Sequence, residues 1–310
     1  MCRELINFAL HSILKYCTYF IHSMEFQSVS SQKKDSFLDL DSVIGNKNPA
    51  LLKIMPRFLL NYLKKVIHQD DLNEIIRNNR NLFGIDFLDA CLKGFGVNIK
   101  YHGIENVSAD GRWIVASNHP LGGLDGMALM WVIGRIRRDI VFPVNDLLMN
   151  IPNLKELFIP INKHGSNASN IRIIDDTFAS EKAMLFFPAG LCSRKQKGGI
   201  CDLEWKKSFI TKARTYKRDI IPCFINGRNS DWFYNLARLR AFMGIKSNIE
   251  MLYLVDEMYK QHDKEIVITF GKPISYSTFD KKKTDLSWAQ QLKNHVYTLE
   301  NNMNSSFITE

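Results

Sequence analysis

A histidine and an aspartate six positions apart flank a proline and two glycines in the stretch SNHPLGGLDG, residues 117–126. A carboxylate bonded to one imidazole nitrogen fixes the ring's tautomer and leaves the other nitrogen basic. His119, so held by Asp125, could take a proton from an alcohol while that oxygen attacks an activated acyl carbon. Pro120 stiffens the turn, and Gly122 and Gly123 permit positive φ or a close substrate approach. A plainer alternative uses the same residues: Asp125 caps the following helix, and His119 is a turn histidine with its hydrogen bonds satisfied. Residue types alone leave both open. No G-x-S-x-G elbow is present, which argues against a covalent hydrolase. No second His/Asp/Glu cluster has ligand spacing, so no metal is expected.

The turn follows the apolar run WIVA, read as a buried strand within RWIVASN at 112–118. Further strands are expected at VNIKYHG (97–103), DIVFPVND (139–146), the end of LKELFIPIN (154–162), KAMLFFPAG (182–190), DIIPCFING (219–227) and EIVITFGKPI (265–274). Helices are expected between them at 125–138, 168–181 and 203–217. Alternation of this kind implies an α/β fold: a mostly parallel or mixed central sheet flanked by helices, with functional turns at the strand carboxyl ends. Three other strand ends carry cations: LFFPAGLCSRK with Arg194 and Lys195, LFIPINKHG with Lys163, and IIPCFINGR with Arg228. Together they suggest an anion funnel; singly, each suits a solvated surface.

Ahead of the sheet region, Met55, Phe58, Leu59, Tyr62, Leu63, Val66 and Ile67 recur at three- and four-residue steps, predicting one apolar helical face. That face either packs on the main domain or lies on a membrane. Residues 230–246 offer Trp232, Phe233, Leu236, Leu239 and Phe242 among Arg238, Arg240 and Lys246, with the same two readings. The domain expectation is an amphipathic segment and linker at 1–48, a helical appendage at 49–96, the catalytic domain at 97–280, and a C-terminal helix and tail at 281–310.

The 310 residues are 45% hydrophobic and carry a formal charge of +9, which suits an anionic partner. Charge is all that points to nucleic acid: no zinc finger, aromatic RNA-binding signature or helix-turn-helix accompanies it, so no nucleic-acid partner is expected. Six scattered cysteines with no C-x-x-C pair read as reduced thiols of a cytosolic compartment. The N-terminal ELINFALHSILKYCTYFIHSM is apolar, but His11, Ser12 and Lys15 sit in its middle. An interfacial helix is the expectation there rather than a span, with the protein peripheral on the cytoplasmic face of the membrane.

The order of blocks resembles the glycerolipid acyltransferase superfamily, the class of lysophosphatidate acyltransferases. NHPLGGLD resembles its N-H-x-x-x-x-D motif, FPAG at 187–190 its F-P-E-G motif, and IIPCFI its proline-bearing apolar strand, while 157–163 stands where an arginine-bearing motif belongs. The likeness spans roughly residues 97–275. Asp125 lies one residue further from His119 than the pattern expects, Ala189 replaces its glutamate, and Asn162 and Lys163 replace its arginine. Those two motifs hold glycerol phosphate in the family, so their loss argues against a glycerol phosphate acceptor.

With NHPLGGLDG and FPAGLCSRK together, the chain is more similar to a subgroup often labelled hemolysin, which includes O-acyltransferases of ornithine and glycine lipids. The resemblance implies acyl transfer from an acyl carrier protein or coenzyme A thioester to the hydroxyl of a lyso-aminolipid, without another cofactor. In that scheme His119 is the general base, steadied by Asp125. Asn118, Gly122 and Gly123 are candidates for stabilising the oxyanion. Lys163, Pro188, Gly190, Ser193 and Arg194 are candidates for holding the acceptor's anionic head or the donor's phosphates. Expected partners are membrane lipids and the acyl carrier protein or acyl-coenzyme A. The alternatives are a lysophosphatidate acyltransferase of phospholipid synthesis and a non-catalytic lipid-binding protein of the same fold.

Overall fold

The computed structural model describes residues 38–47, 49–144, 148–160, 167–245 and 248–309. In chain order, five helices come first: α1 (Leu40–Lys47), α2 (Pro49–Ile54), α3 (Arg57–Val66), α4 (Gln69–Asn78) and α5 (Gly84–Phe95). Then follow β1 (Asn98–His102), β2 (Trp113–Ser117), α6 (Gly123–Ile133), β3 (Ile140–Val144), β4 (Phe158–Pro160), α7 (Asn167–Ala179) and β5 (Ala183–Phe186). The chain continues through β6 (Arg194–Gln196), β7 (Gly199–Cys201), α8 (Ser208–Tyr216), β8 (Asp219–Ile225), α9 (Asp231–Phe242), α10 (Leu254–Tyr259), β9 (Glu265–Phe270) and α11 (Asp285–Thr298).

These elements fall into two compact units: one of Asn81–Arg228 with Gln261–Glu310, the other of the residues up to Arg80 with Asn229–Lys260. The division differs from the boundaries drawn by chain order. Residues 81–96 group with the sheet, and the excursion 229–260 groups with the early helices.

The larger unit holds a seven-stranded sheet in the order β1-β9-β8-β2-β5-β3-β4, parallel at every pairing except β8 with β9. β2 lies between β8 and β5, and all five of its residues are buried. That position explains its unbroken apolar run, since a parallel strand covered on both faces has no polar side to present. At the edge, β1 is mostly exposed and pairs Lys100 with Glu265 of β9. α6 is apolar nearly all round and accordingly buried. On the sheet, Trp205, Phe209 and Ile210 pack with Trp288, Leu292 and Val296 in one cluster around Ile114, Met184 and Ile220. Pro222, which has no ladder donor, sits just before the antiparallel register begins at Cys223 opposite Phe270.

Between β5 and α8 the stretch with Arg194 and Lys195, read from sequence as a cationic strand end, is instead a hairpin. β6 and β7 pair antiparallel through Arg194–Cys201, Lys195–Ile200 and Gln196–Gly199. Gly199 takes a φ of +122°, which residues with a side chain rarely adopt.

In the smaller unit, Leu40, Ile44, Met55, Leu59, Leu63 and Leu252 form the core. The single apolar face expected for α3 divides here. Leu59, Leu63 and Val66 are buried, whereas Phe58 and Tyr62 are exposed. α9 divides likewise, burying Phe233, Tyr234 and Ala237 and leaving Trp232, Leu239 and Phe242 outside. The expected N-terminal interfacial helix and Lys163 lie outside the described residues. Among the described residues no helix is long and apolar enough to cross a membrane.

Candidate active site

Because β8, β2 and β5 are parallel neighbours, their carboxyl ends lie side by side on one edge of the sheet. His119 leaves β2 there. Its Nδ1 lies 3.0 and 3.1 Å from the two carboxylate oxygens of Asp125. Asp125 is fully buried and also accepts the main-chain N–H groups of Leu121 and Gly126, each at 2.8 Å. It stands in the first turn of α6, where a negative charge is favoured by the exposed amides and the helix dipole. One side chain thus braces both the turn ahead of α6 and the imidazole, while the helix itself carries no side-chain cap. Gly122 enters the helix at φ +82°, ψ −117°, outside the usual range for a residue with a Cβ.

The His119 ring stacks on Phe187, with centroids 4.1 Å apart and planes at 21°. Phe187 in turn meets the edge of Phe142. With Nδ1 turned to Asp125 and the flat face covered, Nε2 is the nitrogen left for a substrate, and it has no partner among the described residues.

The turn after β5 closes on the same histidine. Ser193 donates its main-chain N–H to the His119 carbonyl at 2.7 Å, and its hydroxyl donates to Asp202 at 2.7 Å. Asp202 also accepts the His119 N–H at 3.1 Å and the Trp205 indole N–H at 2.8 Å. Burial pushes the Asp202 carboxyl above the usual carboxylate range, and the donors from Ser193, Trp205 and His119 pull against that rise. Pro188 offers its carbonyl to Lys206 N–H, and Gly190 turns the chain at φ +68°. A Cβ on Gly190 would lie 3.0 Å from the Lys206 ammonium, which is exposed.

Several residues singled out in the sequence are occupied internally. Asn118 grips β8 at both polar ends, donating to the Ile225 carbonyl at 2.9 Å and accepting its N–H at 2.7 Å. Arg194 is buried, with its guanidinium donating to the Cys192 carbonyl at 2.8 Å. Ala189, standing where the resemblance expects glutamate, is buried as well. Gly227 lacks the Cβ that would come within 2.9 Å of Leu121, so the turn after β8 packs closely against the His119 loop.

Burial raises the Cys223 thiol well above its ordinary range and the Cys91 thiol to about 12, which suppresses the nucleophilic thiolate at both. Among the described residues, no group of three or more His, Cys, Asp or Glu side chains is placed to hold a metal ion. Sequence reasoning missed Phe187, Asp202 and Lys206. Asp202 sits in CDLEW with no motif around it, and it lies 83 residues from the histidine it contacts.

The chain is 47% identical over 264 residues to a lyso-glycine lipid O-acyltransferase of Bacteroides thetaiotaomicron, covering 84% of this chain and 97% of that protein. It is 46% identical over 264 residues to a lyso-glycine lipid O-acyltransferase of Phocaeicola vulgatus, covering 84% and 95%. Among solved structures it is similar to the crystal structure of the 1-acyl-sn-glycerophosphate (LPA) acyltransferase PlsC from Thermotoga maritima. That likeness has a TM-score of 0.44 and 12% identity over 79% of this chain and 90% of that one. A family model described as acyltransferase matches residues 42–306. From β2 to α11 the His119 turn and everything that braces it lie inside that match, and the chain belongs to the acyltransferase family.

Proposed function

We propose that the protein moves a fatty acyl chain from an acyl carrier protein or coenzyme A thioester to the hydroxyl of a lyso-aminolipid of the lyso-glycine lipid type. The observation carrying this reading is the His119–Asp125 pair, 3.0 Å apart at the sheet's carboxyl edge, in a chain so similar to two proteins named for that reaction. Asp125 keeps the proton on Nδ1, so Nε2 accepts the proton of the acceptor hydroxyl. The oxygen attacks the thioester carbon, the carbon–sulfur bond breaks, and the leaving thiolate takes the proton back. The Gly122 and Gly123 amides, at the open first turn of α6, are the donors proposed for the oxyanion.

For the acceptor's carboxylate, Lys206 above Gly190 is the cation favoured, since the Arg194 guanidinium is turned inward. Lys163, Pro188 and Gly190 complete the proposed head-group and donor contacts, while Ser193 is taken up by Asp202 and the His119 carbonyl.

Membrane contact on the cytoplasmic face is assigned to the smaller unit. There Tyr253 joins two exposed patches, its hydroxyl 2.9 Å from that of Tyr62 and its ring edge-on to Trp232. Phe58 and Phe242 are further exposed apolar groups of this unit, and the exposed Arg57, Lys65 and Arg238 suit anionic lipid.

The test is transfer of labelled acyl chain by purified protein. Lyso-glycine lipid and lysophosphatidate are offered in parallel, each with an acyl carrier protein and a coenzyme A donor. Product on the aminolipid alone, abolished by His119→Ala, is expected. Turnover retained in His119→Ala rejects the base, and preference for lysophosphatidate rejects the acceptor.

A further inference from the structure

His119 is gripped three times, by Asp125 and Phe187 at the ring and by the Ser193–Asp202 pair at the main chain. The third grip is chemically unusual. Asp202 is a fully buried carboxylate among the described residues with only neutral donors on its oxygens: the His119 N–H, the Ser193 hydroxyl and the Trp205 indole. Holding a loop by three donors needs an acceptor and no charge; an asparagine would largely serve at lower desolvation cost. Burial raises this carboxyl, and the three donors with no acceptor around its two oxygens act against that rise, since a protonated carboxyl would have to place its own hydrogen.

We infer that Asp202 is a positioning residue for acyl transfer, fixing the His119 main chain and lending negative charge to the imidazolium that forms when His119 takes the acceptor's proton. The inference rests on His119 acting as the base. Asp125 faces the ring from α6, and Asp202 faces the His119 main chain from the end of the β6–β7 hairpin. From α11, Tyr297 accepts the Asp202 N–H and Lys293 donates to the Asp202 carbonyl. Cys201 is its chain neighbour, and the Arg194 guanidinium points to the Cys192 and Ser193 carbonyls. Of these, the two aspartates are the groups able to lend negative charge, so removing one should make the imidazolium harder to form.

Asp202→Asn retains an acceptor for His119 and Ser193, deletes the charge, and sets an amide NH2 where the Trp205 indole had an acceptor. In the full-length protein, kcat is expected to fall about tenfold with KM within about twofold. The acid limb of kcat/KM should move about 0.5–1 pH unit lower, because a less stabilised imidazolium loses its proton at lower pH. A role confined to folding would lower Tm and leave that limb in place, and an unmoved limb in folded protein overturns the inference. The double variant Asp202→Asn/Trp205→Phe removes the indole donor left facing the new amide. It makes the same measurement if the single variant does not fold. The two readings separate cleanly: activity surviving in His119→Ala rejects the base itself. An inactive His119→Ala with an unmoved Asp202→Asn limb rejects only the part given to Asp202.

Discussion

Both units bury an apolar core with some polar groups, but they differ in the polar cluster one gathers at the site and the apolar side chains the other leaves uncovered. In the larger one, Asn118, Asp125, Ser193, Arg194, Asp202 and Arg218 are all taken out of water, and each has partners within hydrogen-bonding distance. In the smaller one, large apolar groups stand outside: Phe242 is 91% exposed and Phe58 72%. Buried polar groups are expensive unless paired, and once paired they are rigid, which suits a site that must hold one imidazole in one orientation. Exposed apolar groups gain only when another apolar phase covers them. Preorganisation thus sits at the sheet edge, and affinity for a lipid surface is proposed for the helical unit.

The largest test of that contrast is His119→Ala, which should cut transfer from labelled donor by about a thousandfold or more while the far-ultraviolet circular dichroism stays unchanged. Next is Arg218, fully buried with its guanidinium donating to the Phe178 and Lys182 carbonyls, each at 2.7 Å, and to the Thr177 and Ser180 carbonyls. Burial lowers its pKa to about 10, still charged at neutral pH. Arg218→Lys cannot reproduce that fork and should cost about 2–4 kcal/mol in urea unfolding. Asp125→Asn keeps the shape but no longer holds the productive tautomer, and a loss of about a hundredfold in kcat is expected with little change in KM.

On the other side of the comparison, Phe242→Ser with Trp232→Ser should weaken binding to anionic vesicles about tenfold and leave Tm within a degree or two. Equal flotation of variant and parent would remove the lipid role from that unit. The smallest effect concerns His295, whose pKa burial holds below the ordinary imidazole value. A histidine neutral in the fold and protonated when unfolded favours unfolding as pH falls through about 6.5. The His295→Gln protein should therefore lose less stability than the parent between pH 7 and pH 5, read as a shallower fall in the urea midpoint.

Much of the sheet was legible because its signals are local. WIVA, AMLF and DIIPCFI are apolar runs bounded by turn residues, and the structure has β2, β5 and β8 there. The hairpin at 194–201 was not legible, since three-residue strands carrying Arg, Lys and Gln leave no period to count. Helix faces were half legible. Three- and four-residue spacing groups Leu59 with Phe58 and Leu63 with Tyr62, but a single core covers only part of that arc. At the site, His119 and Asp125 are close in the chain and drew notice by spacing alone. Asn118, Ser193 and Arg194 drew notice for ligand contacts, yet the structure occupies them with strand ends and carbonyls, a distinction that depends on side-chain direction.

Sequence alone determined what depends on neighbours a few positions away: the strand and helix pattern, the glycine turn before α6, and a histidine with a carboxylate in reach. Tertiary structure alone decided which distant groups meet that histidine. Ser193 comes from 74 residues away and Asp202 from 83, brought in by the parallel register of β2 with β5. It also decided which apolar side chains stay uncovered, because burial depends on what packs opposite a face and leaves no mark in the spacing of the residues that form it.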